Sequence, residues 1–363
     1  MSRKEFQSIK INGVSFEGDA LFDHCKKKLS QESIQPWEKH IYEFILELLS
    51  EDDFIKVNTS GSTGKAKTIE LSKNTLIQSA KLTAEFLDVK KDMNALLCLS
   101  AEYIAGKIMI VRAFVSGLNL ICVEPDGNPL KNIQRKIDFA AMIPLQVANS
   151  LKSEKEKLEN ISKLIIGGGR VDPKLHQRII NFPNEVYATF GMTETATHIA
   201  LKKLNTENPN EHYKCLSGIE ISETINHCLQ IDAAHISNQP IKTNDIVTVF
   251  SETEFEIIGR MDNIINTGGL KISPEELEQK ISSFIDKNIL ITSLPDEELG
   301  EKMILLIENG KTNLNLLYNL WVELDSHLDK HEIPKQIDFM RAFKYTKSGK
   351  IDRSLTKESY LKK

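Results

Sequence analysis

Long apolar runs are missing from this chain. No stretch reaches the roughly 20 consecutive apolar residues that a membrane-spanning helix needs. The opening MSRKEFQSIKINGVSF has no apolar core and no small-residue cleavage site, so no export leader is expected there. Cysteine is sparse: Cys25, Cys98, Cys122, Cys215 and Cys228 are odd in number and never take CxxC spacing. Cys98 and Cys122 sit inside apolar runs and read as small buried hydrophobes. A reducing, cytoplasmic setting is the simple expectation. An excess of positive charge is missing too. Lys plus Arg is 46 and Asp plus Glu is 51, a net charge of -5, which does not advertise nucleic acid or an anionic membrane surface as a partner. There is no internal repeat and no low-complexity stretch.

What remains is an ordinary globular composition. Of 363 residues, 40% are apolar and 27% charged, enough for two domains, or one large one with an appendage. Short apolar runs bounded by turn residues recur at 95–100 (ALLCLS), 118–124 (LNLICVE), 163–167 (KLIIG) and 185–190 (EVYATF). Amphipathic stretches lie between them, such as 72–87, with Ser72 as N-cap. This alternation predicts an α/β fold with a covered, mostly parallel sheet. After about residue 245 the texture changes. Residues 246–260 read as a hairpin around a polar turn, and Ser273-Pro274 opens a helix with glutamates in its first turn. Strand-like runs follow at 288–294 and 302–308, then a helical segment around 313–328. The expectation is a large domain over 1–261 and a small α+β domain over 262–363.

Four segments carry chemistry. Thr59-Ser60-Gly61-Ser62-Thr63-Gly64-Lys65-Ala66-Lys67 puts small residues, hydroxyls and two lysines together, as an anion-binding loop requires. It is not a Walker A loop, because two residues separate Gly61 from Gly64 and Ala66 follows Lys65. Phe190-Gly191-Met192-Thr193-Glu194 follows an apolar strand, so a parallel sheet places it at a carboxyl end, where ligands bind. There Phe190 can stack on a base, Thr193 can bond a phosphate and Glu194 can hold a divalent metal. The third segment runs Gly259-Arg260-Met261-Asp262 to Gly268-Gly269, and the fourth is Ser348-Gly349-Lys350-Ile351-Asp352-Arg353. Taken singly, each also reads as a plain loop, a capped turn, a linker or a solvated basic tail.

Together and in this order, the four segments resemble those of the adenylate-forming superfamily. Its members include acyl- and aryl-CoA synthetases, peptide-synthetase adenylation domains and luciferases. The resemblance covers about residues 55–355. Within it, Ile264-Ile265-Asn266-Thr267-Gly268-Gly269, Gly167-Gly168-Gly169 and the run from Phe190 to Ala196 are similar to segments of the o-succinylbenzoate–CoA ligases of menaquinone biosynthesis. The resemblance implies an N-terminally shortened adenylate-forming fold. It also implies an AMP-forming acid–thiol ligase using ATP, Mg²⁺ and coenzyme A on a small carboxylic acid, with o-succinylbenzoate the named acid. Another acyl- or aryl-CoA synthetase, or a stand-alone adenylation enzyme loading a carrier-protein thiol, are the alternatives; a homo-oligomer is allowed. It assigns ATP or AMP binding to Thr59–Gly64, Lys67, Gly168, Gly169, Arg170, Phe190, Gly191, Met192, Asp245 and Arg260. Catalysis falls to Lys350, Thr193 and Glu194, with Glu194 also the metal ligand. Asp262 is the hinge of a rotating small domain and Gly268-Gly269 the passage for the coenzyme A thiol. The acid pocket falls to Tyr103, Ala105, Gly106, Lys107, Gln146 and Gly167, with Lys107 the expected partner of a second carboxylate. The chain departs from the family pattern at Ala66 (usually Pro), Phe190 (usually Tyr), Tyr103 (often His) and Asn244 (usually Gly).

Overall fold

The computed structural model describes residues 5–58, 68–208, 211–308, 314–346 and 351–362. By packing, the chain parts into two units. The first holds Met1–Val171, Arg178–Glu220 and Asp232–Pro240; the second holds Asp172–Gln177, Ile221–Ile231 and Ile241–Lys363. The expected junction at residue 262 lies inside the second unit.

The first unit begins with the hairpin β1 (Ser8–Ile11) and β2 (Val14–Glu17), then α1 (Gly18–Leu29) and α2 (Pro36–Leu49). Pro36 at the first helical position suits α2, and Ile41, Tyr42, Phe44, Ile45 and Leu48 form its buried stripe. A separate two-stranded ladder, β3 (Phe54–Asn58) with β4 (Thr68–Ser72), brackets residues 59–67. Helix α3 (Lys73–Phe86) follows, and the Ser72 hydroxyl accepts from Thr75 N as the cap pattern predicts. Then come β5 (Asn94–Leu97), α4 (Ile104–Ser116), β6 (Asn119–Cys122), β7 (Phe139–Met142), α5 (Pro144–Ser153), α6 (Lys155–Glu159), β8 (Lys163–Ile166), α7 (Pro173–Ile179), β9 (Glu185–Gly191), β10 (His198–Lys203) and β11 (Tyr213–Cys215).

Among the described residues, the first unit's sheet runs β11-β10-β9-β8-β7-β5-β6-β1-β2. Pairing is parallel from β9 through β8, β7 and β5 to β6 and on to β1. Strands β7 and β8 are almost wholly buried, which is why they read as unbroken apolar runs. The order reverses between β5 and β7, and the crevice beyond the strand ends at such a reversal is where ligands bind in open α/β sheets.

The second unit takes β12 (Glu220–Glu223), β13 (Cys228–Asp232), β14 (Ile241–Ser251) and β15 (Glu254–Arg260), which neighbour one another in that order. Its other sheet contains β16 (Ile265–Thr267), β17 (Leu270–Ile272), β18 (Ile289–Asp296), β19 (Gly300–Glu308) and β20 (Gln336–Met340), with α8 (Pro274–Ser282), α9 (Leu314–His327) and α10 (Arg353–Leu361). Ile265, Ile281, Ile291, Leu305 and Leu324 lie in one core cluster there. The α/β reading with a smaller α+β unit is what the chain adopts. All five cysteines are free. Burial pushes the Cys25, Cys98, Cys122 and Cys215 thiols up to about 12, and Cys228 in the same direction.

Candidate active site

In the first unit, the expected site residues gather at the carboxyl ends of four neighbouring parallel strands. Tyr103, the N-cap of α4, follows β5; Gln146 follows β7; Gly167–Arg170 follows β8; Phe190–Glu194 closes and follows β9. Adjacent strands lie about 4.8 Å apart, so these segments line one crevice.

Gln146 does not offer a free amide to this crevice. It is 3% exposed, and its Nε2 donates to Cys98 O and Asp126 O, both at 2.9 Å, while its Oε1 accepts from Ile143 N at 3.2 Å. One side chain thus ties together the ends of β5, β6 and β7 at the reversal point. Gly106 is buried and Ala105 exposed.

The turn after β9 has its own brace. Thr195 Oγ1 accepts from Met192 N at 3.0 Å and lies 2.7 Å from Thr197 O, to which it donates. That leaves Glu194 exposed, with no hydrogen bond or ion pair among the described residues, and Thr193 half-buried beside it. Phe190 is half-buried and meets the Tyr213 ring edge-on at 6.2 Å between centroids. Gly191 is obligatory. A Cβ there would lie 2.3 Å from Thr197 O and 2.4 Å from His198 Cα, where the β9–β10 register shifts.

Behind this turn lies a network that local pattern did not announce. Arg112 is 2% exposed in α4. Its Nη2 donates to Thr197 Oγ1 at 3.2 Å and approaches Thr83 Oγ1 and His198 Nδ1, both at 3.4 Å. His198 Nε2 lies 3.1 Å from Thr83 Oγ1, and that hydroxyl donates to Ser79 O. An Nδ1 that accepts from Arg112 leaves the imidazole proton on Nε2, facing Thr83. Burial first, and the Arg112 charge second, hold the His198 pKa well below its ordinary value. The available signal was a lone arginine within the apolar run IMIVRAFV.

Lys107, the expected partner of a second carboxylate, already has partners within the protein. Its Nζ donates to Glu47 Oε2 and Lys56 O, each at 3.3 Å, and stands 4.7 Å over the Phe44 ring. The ammonium already has its counter-ion, on α2, 60 residues away in sequence.

In the second unit, Arg260 Nη1 donates to Asp245 Oδ1 at 3.2 Å, and its Nη2 to Asp262 Oδ2 at 2.9 Å. Asn244 Nδ2 also donates to Asp262, at 2.9 Å. Burial raises the Asp245 pKa while the Arg260 charge opposes the rise; the hydrogen bond from Arg260 holds Asp262 low. Asn244, which replaces the usual glycine, therefore has a local task. Gly268 and Gly269, at φ +58 and +82, form the two-residue turn between β16 and β17, a conformation natural to glycine pairs. Residues 59–67 and Lys350 lie outside the described residues.

A parallel sheet with Gly-rich and Thr-Glu turns over its carboxyl ends, joined to a second α+β unit, defines an α/β enzyme built around a strand-end ligand crevice. The chain belongs to the AMP-binding enzyme family, whose pattern matches residues 23–221. It is 34% identical to an acyl-CoA synthetase (AMP-forming)/AMP-acid ligase II-like protein from Dyadobacter fermentans, with 92% of this chain and 97% of that one covered and a TM-score of 0.61. A 2-succinylbenzoate–CoA ligase of Staphylococcus aureus is 22% identical over 390 residues, 96% of this chain and 77% of that protein. The Bacillus subtilis o-succinylbenzoate CoA synthetase, solved with the acyl-adenylate intermediate OSB-AMP, shares the fold. Its TM-score is 0.79 at 15% identity, over 96% of this chain and 94% of that one.

Proposed function

We propose that this protein is an ATP-dependent carboxylate–coenzyme A ligase that works through an acyl-adenylate, with o-succinylbenzoate as its acid. The observation that carries the reading is the convergence of Gly167–Arg170 and Phe190–Glu194 on neighbouring strand ends. Family membership and the S. aureus relative support it.

The chain's own residues divide the work. Thr59–Gly64 and Lys67 hold the β- and γ-phosphates; the glycine loop at 167–170 and Phe190 frame the adenosine. Asp245, steadied by Arg260, takes the ribose hydroxyls. Glu194 suits a divalent metal, since it is exposed and has no hydrogen bond or ion pair among the described residues. When bound, Mg²⁺ would neutralise phosphate charge. Lys350 places an ammonium between the α-phosphate and the attacking carboxylate, where negative charge develops. For the second step Asp262 serves as hinge of the small domain, Lys350 withdraws, and the Gly268-Gly269 turn admits the thiol, which attacks the acyl carbon as AMP leaves.

Gly106 and Gly167 are set by packing, since a Cβ would lie 2.3 Å from Ser100 O and 2.5 Å from Thr189 Oγ1, so they do not argue for the width of an acid pocket. With Lys107 held by Glu47, that lysine no longer supports the choice of a dicarboxylic acid. The acid is therefore tested directly, by pyrophosphate release with o-succinylbenzoate, benzoate and a medium-chain fatty acid, with and without coenzyme A. A kcat/KM for o-succinylbenzoate at least about 100-fold above the others is expected, as for a site built to bond a polar group. Equal use of benzoate or the fatty acid would remove the named substrate. Adenylation without thioester formation on coenzyme A would point to a carrier-protein acceptor.

A further inference from the structure

Strand β3 enters the 59–67 segment and pairs with β4 along one edge. On its other edge, two side chains from different helices take the place of a third strand. Lys56 N donates to Glu47 Oε1 at 3.2 Å, and Lys56 O accepts from Lys107 Nζ at 3.3 Å. The same two side chains bond each other through Glu47 Oε2. Lys107 thus has a defined partner for each N–H: a carboxylate, a carbonyl and the face of Phe44. Its side chain is 12% exposed and that of Glu47 33%, so the lysine end of the pair is the better shielded from water. A second lysine fixes the far end of the hairpin. Lys73, just after β4 and 1% exposed, donates through Nζ to Leu48 O at 3.0 Å and Ser50 O at 2.9 Å. Helix α2 has no basic residue in its last turn, and Lys73 supplies the charge its C-terminal carbonyls attract.

We propose that Glu47 and Lys107 are positioning residues for nucleotide binding. They lock Lys56, and with it the strand leading to Thr59, in the register the phosphate loop needs. The inference rests on reading residues 59–67 as that loop, and it does not depend on which acid is used. Lys107 closes the first turn of α4, its N–H donating to Tyr103 O at 3.1 Å. A loop meant to meet a triphosphate binds best when its ends are already fixed.

The test is the dissociation constant for MgATP alone, measured by calorimetry, with the urea midpoint and the KM for the acid as companions. Lys107→Met, which keeps the apolar stem on Phe44, is expected to weaken MgATP about tenfold. Glu47→Gln, which keeps an acceptor for Lys56 N, should weaken it about threefold to tenfold. The double variant should be no worse than Lys107→Met alone, as for two members of one unit. Lys107→Arg should restore most of the affinity, and KM for the acid should stay within about twofold throughout. Unchanged MgATP affinity in both single variants, even with a lowered urea midpoint, would overturn the proposal and leave a purely structural staple. So would an acid KM that rises more than the MgATP constant. A wild-type protein that fails to bind MgATP would remove the phosphate-loop reading itself, and the clamp's role with it.

Discussion

At the scale of single residues, Lys350 and His198 make separable demands. Lys350 is proposed to act chiefly in the transition state of adenylation. Lys350→Ala should lower kcat for pyrophosphate release by at least about 100-fold with little change in MgATP affinity. Supplied with pre-formed acyl-adenylate, the variant should still make thioester at close to the wild-type rate; equal damage to both half-reactions would contradict the role. His198 is a matter of stability. Its folded pKa lies well below the ordinary value because the ring is buried beside Arg112. The unfolded chain therefore takes up a proton below about pH 6.5 that the folded chain refuses. The stability tied to His198 is whole above that pH and is lost as pH falls toward the folded value. The slope is at most about 1.4 kcal/mol per pH unit for one proton. His198→Gln should flatten that part of the pH profile, read as urea midpoints between pH 7 and 5. An unchanged slope would mean that the ring does not titrate as its burial requires.

At the scale of elements, the β9–β10 junction is a tight place beside the proposed site. Gly191→Ala would press a methyl group into the Thr197 carbonyl and the His198 backbone, and backbone cannot swing aside as a side chain can. A loss of about 2–3 kcal/mol, at the upper end for overpacking, is expected in denaturant unfolding, with the turn bearing Glu194 displaced. A wild-type midpoint would show that the bulge relaxes. The elements themselves were legible where local signal was strong. The run at 163–167 became β8, 185–190 became β9, and Ser72 and Ser273 cap their helices as their spacing implied. Strand β7, four residues of Phe-Ala-Ala-Met, has too little β-branched character to stand out. Strands β16 and β17 are three residues each. The Lys107–Glu47 pair joins α4 to α2 across 60 residues, and no periodicity in either helix names the other. The strand-end location of the segments proposed as the site was therefore readable, whereas the partners that orient their side chains are set by tertiary packing.

At the scale of the whole molecule, the question is how two units serve two half-reactions. Asp262 lies in the second unit, held by Arg260 and Asn244. If it is the pivot, Asp262→Pro, which fixes φ near −65°, should leave adenylation intact and slow thioester formation by orders of magnitude. Asp262→Asn, which removes only charge, should spare both steps, and wild-type thioester rates in the proline variant would place the pivot elsewhere. The cysteines make such motion observable. Burial raises the pKa of all five thiols and so disfavours the reactive thiolate at neutral pH. Maleimide reagents should largely ignore them. One surface cysteine introduced into each unit would then accept a donor and an acceptor dye in the otherwise native sequence, and turnover would be followed as a change in energy transfer.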